Sequence, residues 1–189
     1  MNHVKPCSQT LAGQAAEGLI YLPQPMDHRR LAFPDRMAGM EITPGLGIDL
    51  VKIGDQRSRV EARIGPPYHG PGGRRAVYTT SPTLVITYAA DETVELVEIR
   101  YSGEGGDTEV HYGGVQLTHR FLDDVVADLH ALGHTSTPSD IGHDFHVGFS
   151  VWSMHSLWAG DLDPEADEDD ERAVSETVSV APYDYFTGG

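Results

Sequence analysis

The chain has 189 residues, 39% hydrophobic and 22% charged, with 29 acids, 13 bases, 21 Gly, 12 Pro and one Cys. That length can bury a core without disulfide or metal support, the apolar runs stop well short of the roughly 18 residues of a membrane span, and one Cys cannot form an internal disulfide. A net charge of −16 argues against nucleic acid, whose phosphates need Lys and Arg to displace counterions; Met1 to Cys7 carries no apolar export segment, so the expected compartment is the cytoplasm.

Residues 1–42 read as an irregular arm. Pro23, Pro25 and Pro34, the basic pair Arg29 and Arg30, and the short patch Leu19 to Leu22 give no sustained period. Met26, Met37 and Met40 are each candidate initiators, so an overlong gene start is one reading of this arm.

Residues 43–112 form the first predicted unit. Ile48, Leu50, Val51 and Ile53 suggest a short strand. Asp55 is the expected helix cap, its carboxylate accepting from first-turn amides. Val60 and Ile64 share a helix face, Gly65-Pro66-Pro67 ends the helix, and its arginine side is expected to be exposed. Beyond the loop His69 to Gly73, the segments Ala76 to Thr80, Leu84 to Tyr88 and Val94 to Tyr101 alternate with period two, as antiparallel strands do.

Residues 113–189 form the second. Val115 and Leu117 precede Thr118, a potential cap, and Phe121, Leu122, Val125, Val126, Leu129 and Leu132 make a helical stripe that stops at Gly133. Phe145, Val147, Phe149 and Val151 alternate on one face of a predicted strand. An acidic loop, residues 161–171, follows, and then Val174, Glu176, Val178 and Val180 alternate again. Strand, helix, Gly and a run of strands thus occur twice. The predicted fold is α+β: two related units, each a short helix on an antiparallel sheet, sharing one core.

Ile53, Gly54 and Asp55, with Val60 and then Ile64, Gly65, Pro66 and Pro67, resemble the opening of the small helix-plus-sheet modules of outer-membrane assembly lipoproteins and, doubled, of the β-lactamase inhibitor protein type; the chain is also similar to uncharacterised actinobacterial immunity-like proteins. The resemblance implies a noncatalytic binding fold and names no target. Eleven Arg against two Lys fits a GC-rich genome.

Charge is unevenly spread. From Ala159 onward there are ten acids and one base, whereas Lys52 to Arg75 holds six bases against Asp55 and Glu61. Blocks of like charge are usually solvated loops. The sharper reading is that Asp161, Asp163, Asp167, Glu168, Asp169, Asp170 and Glu171 either fold back on the arginines or steer a basic partner. The tract lacks the Gly and terminal Glu of a calcium loop. Trp158, Tyr183 and Tyr185 are candidate aromatic anchors beside it; the alternative is burial in the second unit. Arg57, Arg59, Arg74 and Arg75 are candidate anion contacts, suited to carboxylates of a protein partner by bidentate bonding. The loop Gly70 to Arg75 lacks the Gly-Lys-Ser/Thr ending of a phosphate loop.

His130 and His134, four apart on the predicted helix, with His143 and His146, are a candidate zinc set, weighed against ordinary surface or capping imidazoles. There is no HExxH. Ser150 in Gly-Phe-Ser-Val-Trp has Trp152 where a nucleophile elbow needs Gly, so a plain strand residue is the better reading. Cys7 has no base fixed nearby and reads as an inert thiol. With no assembled catalytic set, the expectation is a non-enzymatic protein-binding module without cofactor, immunity-like or inhibitor-like, that occludes a basic partner and avoids nucleic acid and membrane. The alternatives are a His-rich metal- or small-ligand-binding domain and a structural subunit of a larger assembly.

Overall fold

Short alternating segments punctuated by Gly and Pro cannot each hide an apolar face, so they must pair into sheets and be covered by the helices. A computed structural model describes residues 39–101 and 108–188, all within one compact unit, Arg36–Gly189. Cys7, the patch Leu19 to Leu22 and the prolines of the arm lie outside the described residues.

The elements run β1 (Met40–Thr43), β2 (Gly47–Ile48), α1 (Arg57–Ile64), β3 (Arg75–Tyr78), β4 (Thr83–Tyr88) and β5 (Val94–Arg100). They continue with β6 (Val110–Tyr112), β7 (Val115–Gln116), α2 (Leu122–Ala131), β8 (Ser136–Pro138), β9 (Gly142–Phe145), β10 (Phe149–Trp152), α3 (Ala159–Leu162), β11 (Thr177–Val180) and α4 (Tyr183–Phe186). The chain is α+β. A seven-stranded antiparallel sheet has the order β3-β4-β5-β11-β10-β9-β8, and a smaller one the order β2-β1-β6-β7, in which β1 and β6 run parallel. The pairing of β5 with β11 joins the two runs of strands into one sheet.

Alternation gives the large sheet two unlike faces. In register across its strands, Ala76, Ile86, Val97, Val180, Phe149 and Phe145 form one row, and Tyr78, Leu84, Ile99, Val178 and Val151 the next. These rows, the helix residues Val60, Leu122, Val125 and Leu129, and Ile42, Ile48, Val110 and Leu117 from the smaller sheet and its margins make one continuous core. The opposite face carries Thr87, Glu98, Ser179, Ser150 and Asp144.

Several local expectations are corrected. The irregular arm ends short of residue 42, because Met40–Thr43 is a strand whose Ile42 belongs to the core. Helix α1 begins at Arg57 with Gln56 at its cap; Asp55 instead accepts from the Lys52 N–H (3.0 Å) and Arg63 Nη1 (3.1 Å). Nor is every arginine of α1 outside, since Arg57 is 8% exposed. Thr118 does not cap α2: it is buried and its hydroxyl accepts the Val110 N–H at 2.9 Å, tying the ends of the β6–β7 hairpin. Leu132, at the end of the apolar stripe, is exposed.

The predicted strand through Phe145 and Val151 is two strands. Gly148, with φ +108°, reverses the chain so that Phe149 faces Phe145, and Val147 is left exposed in the turn. A Cβ on Gly148 would lie 2.7 Å from the Gly45 amide nitrogen, and few L residues adopt that φ, so both space and backbone require glycine there.

The edges of the large sheet are short. β8 has three residues and ends in Pro138, while Tyr68 and His69 exchange backbone hydrogen bonds with Val77 of β3. Among the described residues no helix is long and apolar enough to cross a membrane.

Candidate partner-binding site

Strand β10 ends at Trp152, and residues 153–176 return the chain to β11 through α3. Such a long connection needs anchors for its backbone. Glu176, 5% exposed, provides one: its Oε1 accepts the N–H groups of Ser156 (2.7 Å) and Leu157 (3.0 Å) and lies 3.3 Å from the Ser153 hydroxyl. The next residue, Trp158, has its N–H bonded to Asp161 Oδ2 at 2.7 Å, so the backbone is fixed on both sides of an indole that is 66% exposed.

A second anchor holds the acidic loop. Arg172 Nε lies 3.0 and 2.9 Å from the two oxygens of Asp170, Arg172 Nη2 reaches Asp163 Oδ2 at 2.9 Å, and the guanidinium sits 4.0 Å from the centre of the Phe121 ring. These bonds from Arg172 hold both carboxyls below the usual carboxylate range. Between the two anchors lies an open hollow of about 590 Å³, lined by His155, Leu157, Trp158, Glu168, Asp169 and Glu171 together with the Asp170–Arg172 pair.

The predicted acids therefore divide. Asp161 caps the turn at Trp158, and Asp163 and Asp170 are taken by Arg172. Asp167, Glu168, Asp169 and Glu171 form no ion pair among the described residues. The tract does not fold onto the arginines of residues 52–75. Tyr183 and Tyr185 do not join Trp158, because β10 and β11 are antiparallel: the chain leaves β10 at one end of the sheet and leaves β11 at the other. The Tyr183 ring packs edge-on against His146, 4.7 Å between centroids, and Tyr185 lies along the outer sheet face.

Most of the arginine set serves the fold. Arg57 Nε donates to Glu92, its Nη2 donates to the Gly73 carbonyl at 2.6 Å, and its guanidinium lies 3.8 Å from the centre of the Tyr88 ring, whose hydroxyl is 2.7 Å from that of Tyr78. Arg74 pairs with Glu95 at 3.1 Å and Arg75 with Glu98 at 2.7 Å. Their carboxylate partners come from this chain. Arg59 alone of the four has no ion pair among the described residues.

The histidine quartet does not converge. Ser136 Oγ lies 2.9 Å from His130 Nε2 and 3.1 Å from His143 Nδ1, so a hydroxyl stands between the two imidazoles. His146 is fixed by the hydroxyls of Thr135 (2.8 Å) and Thr137 (3.0 Å), and His134 faces Tyr112. Among the described residues no three His, Cys, Asp or Glu side chains are grouped as a metal requires. The expected helical spacing of four does not form, because α2 ends at Ala131 and His134 lies beyond Gly133 (φ +88°), and Ser136 of β8 supplies a hydroxyl to His130 and His143 where zinc would need a donor.

These imidazoles tie the edge strand instead, and that makes a pH prediction. Burial, and then the charge of His130, push the proton affinity of His143 below its ordinary value of 6.5, against weaker opposing pulls from Asp123 and Asp144. The folded chain then binds the proton less readily than the unfolded chain, so stability is lost as pH falls through the unfolded value toward the lower folded one. Urea midpoints measured at about pH 7.5 and pH 5.5 should show a decrease that is smaller in His143→Gln; equal decreases in both proteins would remove His143 as the cause.

Sequence reasoning missed His155, Leu157, Arg172 and Glu176. Glu176 carried a usable signal: an acid in phase with Val174, Val178 and Val180 must face inward and be satisfied there. Comparison with protein-family models, with curated proteins and with solved structures finds no match to this chain.

Proposed function

We propose that the chain is a non-enzymatic protein-binding module, immunity-like or inhibitor-like, that occludes a basic partner at the end of the sheet carrying Trp158. One observation carries this reading: an exposed indole on a doubly anchored loop stands in an open hollow beside carboxylates that no base among the described residues neutralises. Aromatic anchors inside a polar rim supply most interface energy, and an anchored loop has little conformational freedom left to lose on docking. The free carboxylates supply long-range attraction for a cationic surface, which acts mainly on the association rate.

The test is stopped-flow association with small basic proteins at low and high salt. Replacing Asp167, Glu168, Asp169 and Glu171 by their amides should slow capture about tenfold or more at low salt, with the difference shrinking as salt rises. Trp158→Ala should mainly speed dissociation. Equal association rates for the native and amide proteins at low salt would rule out steering by this tract.

A further inference from the structure

The outer face of the seven-stranded sheet contains a second hollow, of about 320 Å³, on the side away from the core. Its floor is a cross-strand row: Glu98 on β5, Ser179 on β11, Ser150 on β10 and Asp144 on β9 are successive register partners. A sheet face turned to water usually carries exposed polar groups. This one does not leave them exposed, because Ser150 is 4% exposed and Ser179 and Glu98 are as deeply set.

The row is unevenly satisfied. Glu98 is paired with Arg75, and Ser179 Oγ accepts the Trp152 indole N–H at 2.9 Å, which leaves the Ser179 hydroxyl hydrogen free to donate. Ser150 lines the hollow and its hydroxyl has no hydrogen-bond partner among the described residues. Asp144, beside it, has no ion pair among them. The Ser150 oxygen is not sealed off, since the fully buried side-chain atoms without a partner among the described residues are Arg57 Nη1 and His111 Nδ1; it opens on the hollow, where a ligand group would meet it. Aromatic walls rise around this floor: Trp152, whose ring is held by the bond to Ser179, and Tyr185 and Phe186, whose rings stand at 80° to each other.

The geometry points to a binding site for a small, neutral, polyhydroxylated ring, a monosaccharide unit. The size is at the lower end of small-molecule sites, roughly 300–1,000 Å³. A carboxylate accepts from two adjacent ligand hydroxyls, the Ser150 hydroxyl both gives and accepts, Ser179 donates, and aromatic faces cover the C–H side of a sugar ring. Anions are disfavoured by Asp144 and Glu98 in the floor, and the Arg75 guanidinium opposes a free cation. This site stands apart from the Trp158 hollow and does not depend on it.

The experiment is an NMR titration of the full chain with glucose, galactose, mannose and N-acetylglucosamine, following backbone amides. At least one sugar should shift Ser150, Ser179 and Asp144 saturably, with millimolar affinity. Ser150→Ala and Asp144→Asn should each weaken that binding fivefold or more at unchanged melting temperature. No saturable shift with any of the four sugars would overturn the proposal, as would choline shifting the same amides more strongly than every sugar.

Discussion

Glu176→Ala should cost the fold about 2–3 kcal/mol and at the same time release the loop that presents Trp158, because a nearly buried carboxylate that accepts two backbone N–H groups leaves both without a partner when it is removed. Urea denaturation measures the first effect. The second is a quenchable, mobile indole and faster dissociation of a bound basic protein. Glu176→Gln keeps one acceptor oxygen without the charge and should fall between the two. A change of less than about 0.5 kcal/mol in the alanine protein, the range of an ordinary surface substitution, would mean that the loop is held by something else.

Phe149→Ala should be more damaging still, at about 3–5 kcal/mol, the range for emptying a fully buried aromatic site. Phe149 stacks on Phe145 with centroids 4.8 Å apart and meets the edge of Tyr112 at 5.2 Å. Because Tyr112 belongs to the smaller sheet, the ring joins both sheets, and its loss should open a void between layers. Phe149→Leu, which keeps much of the volume, should cost less than about 1.5 kcal/mol if its neighbours repack. Guanidinium unfolding of both variants checks this. A cost below about 1 kcal/mol for the alanine protein would mean that the layers do not share one core at this point.

The α+β class and most strand positions were legible because alternation is a local signal: Leu84, Ile86 and Tyr88 against Val85 and Thr87 can only be a strand with two faces. Pairing was not legible. Nothing in Val94 to Arg100 says that its second neighbour is β11, almost eighty residues on, and nothing in Met40 to Thr43 says that it lies beside β6. The β9–β10 hairpin was read as one strand because Phe145, Val147, Phe149 and Val151 keep step through a turn that needs only Gly148. At the candidate site the acids and Trp158 were visible as residue types. Which acids remain unpaired depends on where Arg172 reaches, and a guanidinium side chain spans several positions in either direction. The histidines failed as a metal set because α2 stops at Ala131, which takes His134 off the helix, and because the hydroxyls of Thr135, Ser136 and Thr137 became the partners of His130, His143 and His146.

The two ends of the large sheet have a consequence for behaviour at high concentration. Proline at the close of a three-residue border strand has no N–H to offer a newcomer, and on the other side the chain's own backbone already covers Val77. An extended segment from another molecule therefore finds little template for strand addition at either border. Together with mutual repulsion between strongly negative molecules, this should keep concentrated samples free of fibrillar growth, so that the protein can accumulate to high levels without recruiting itself.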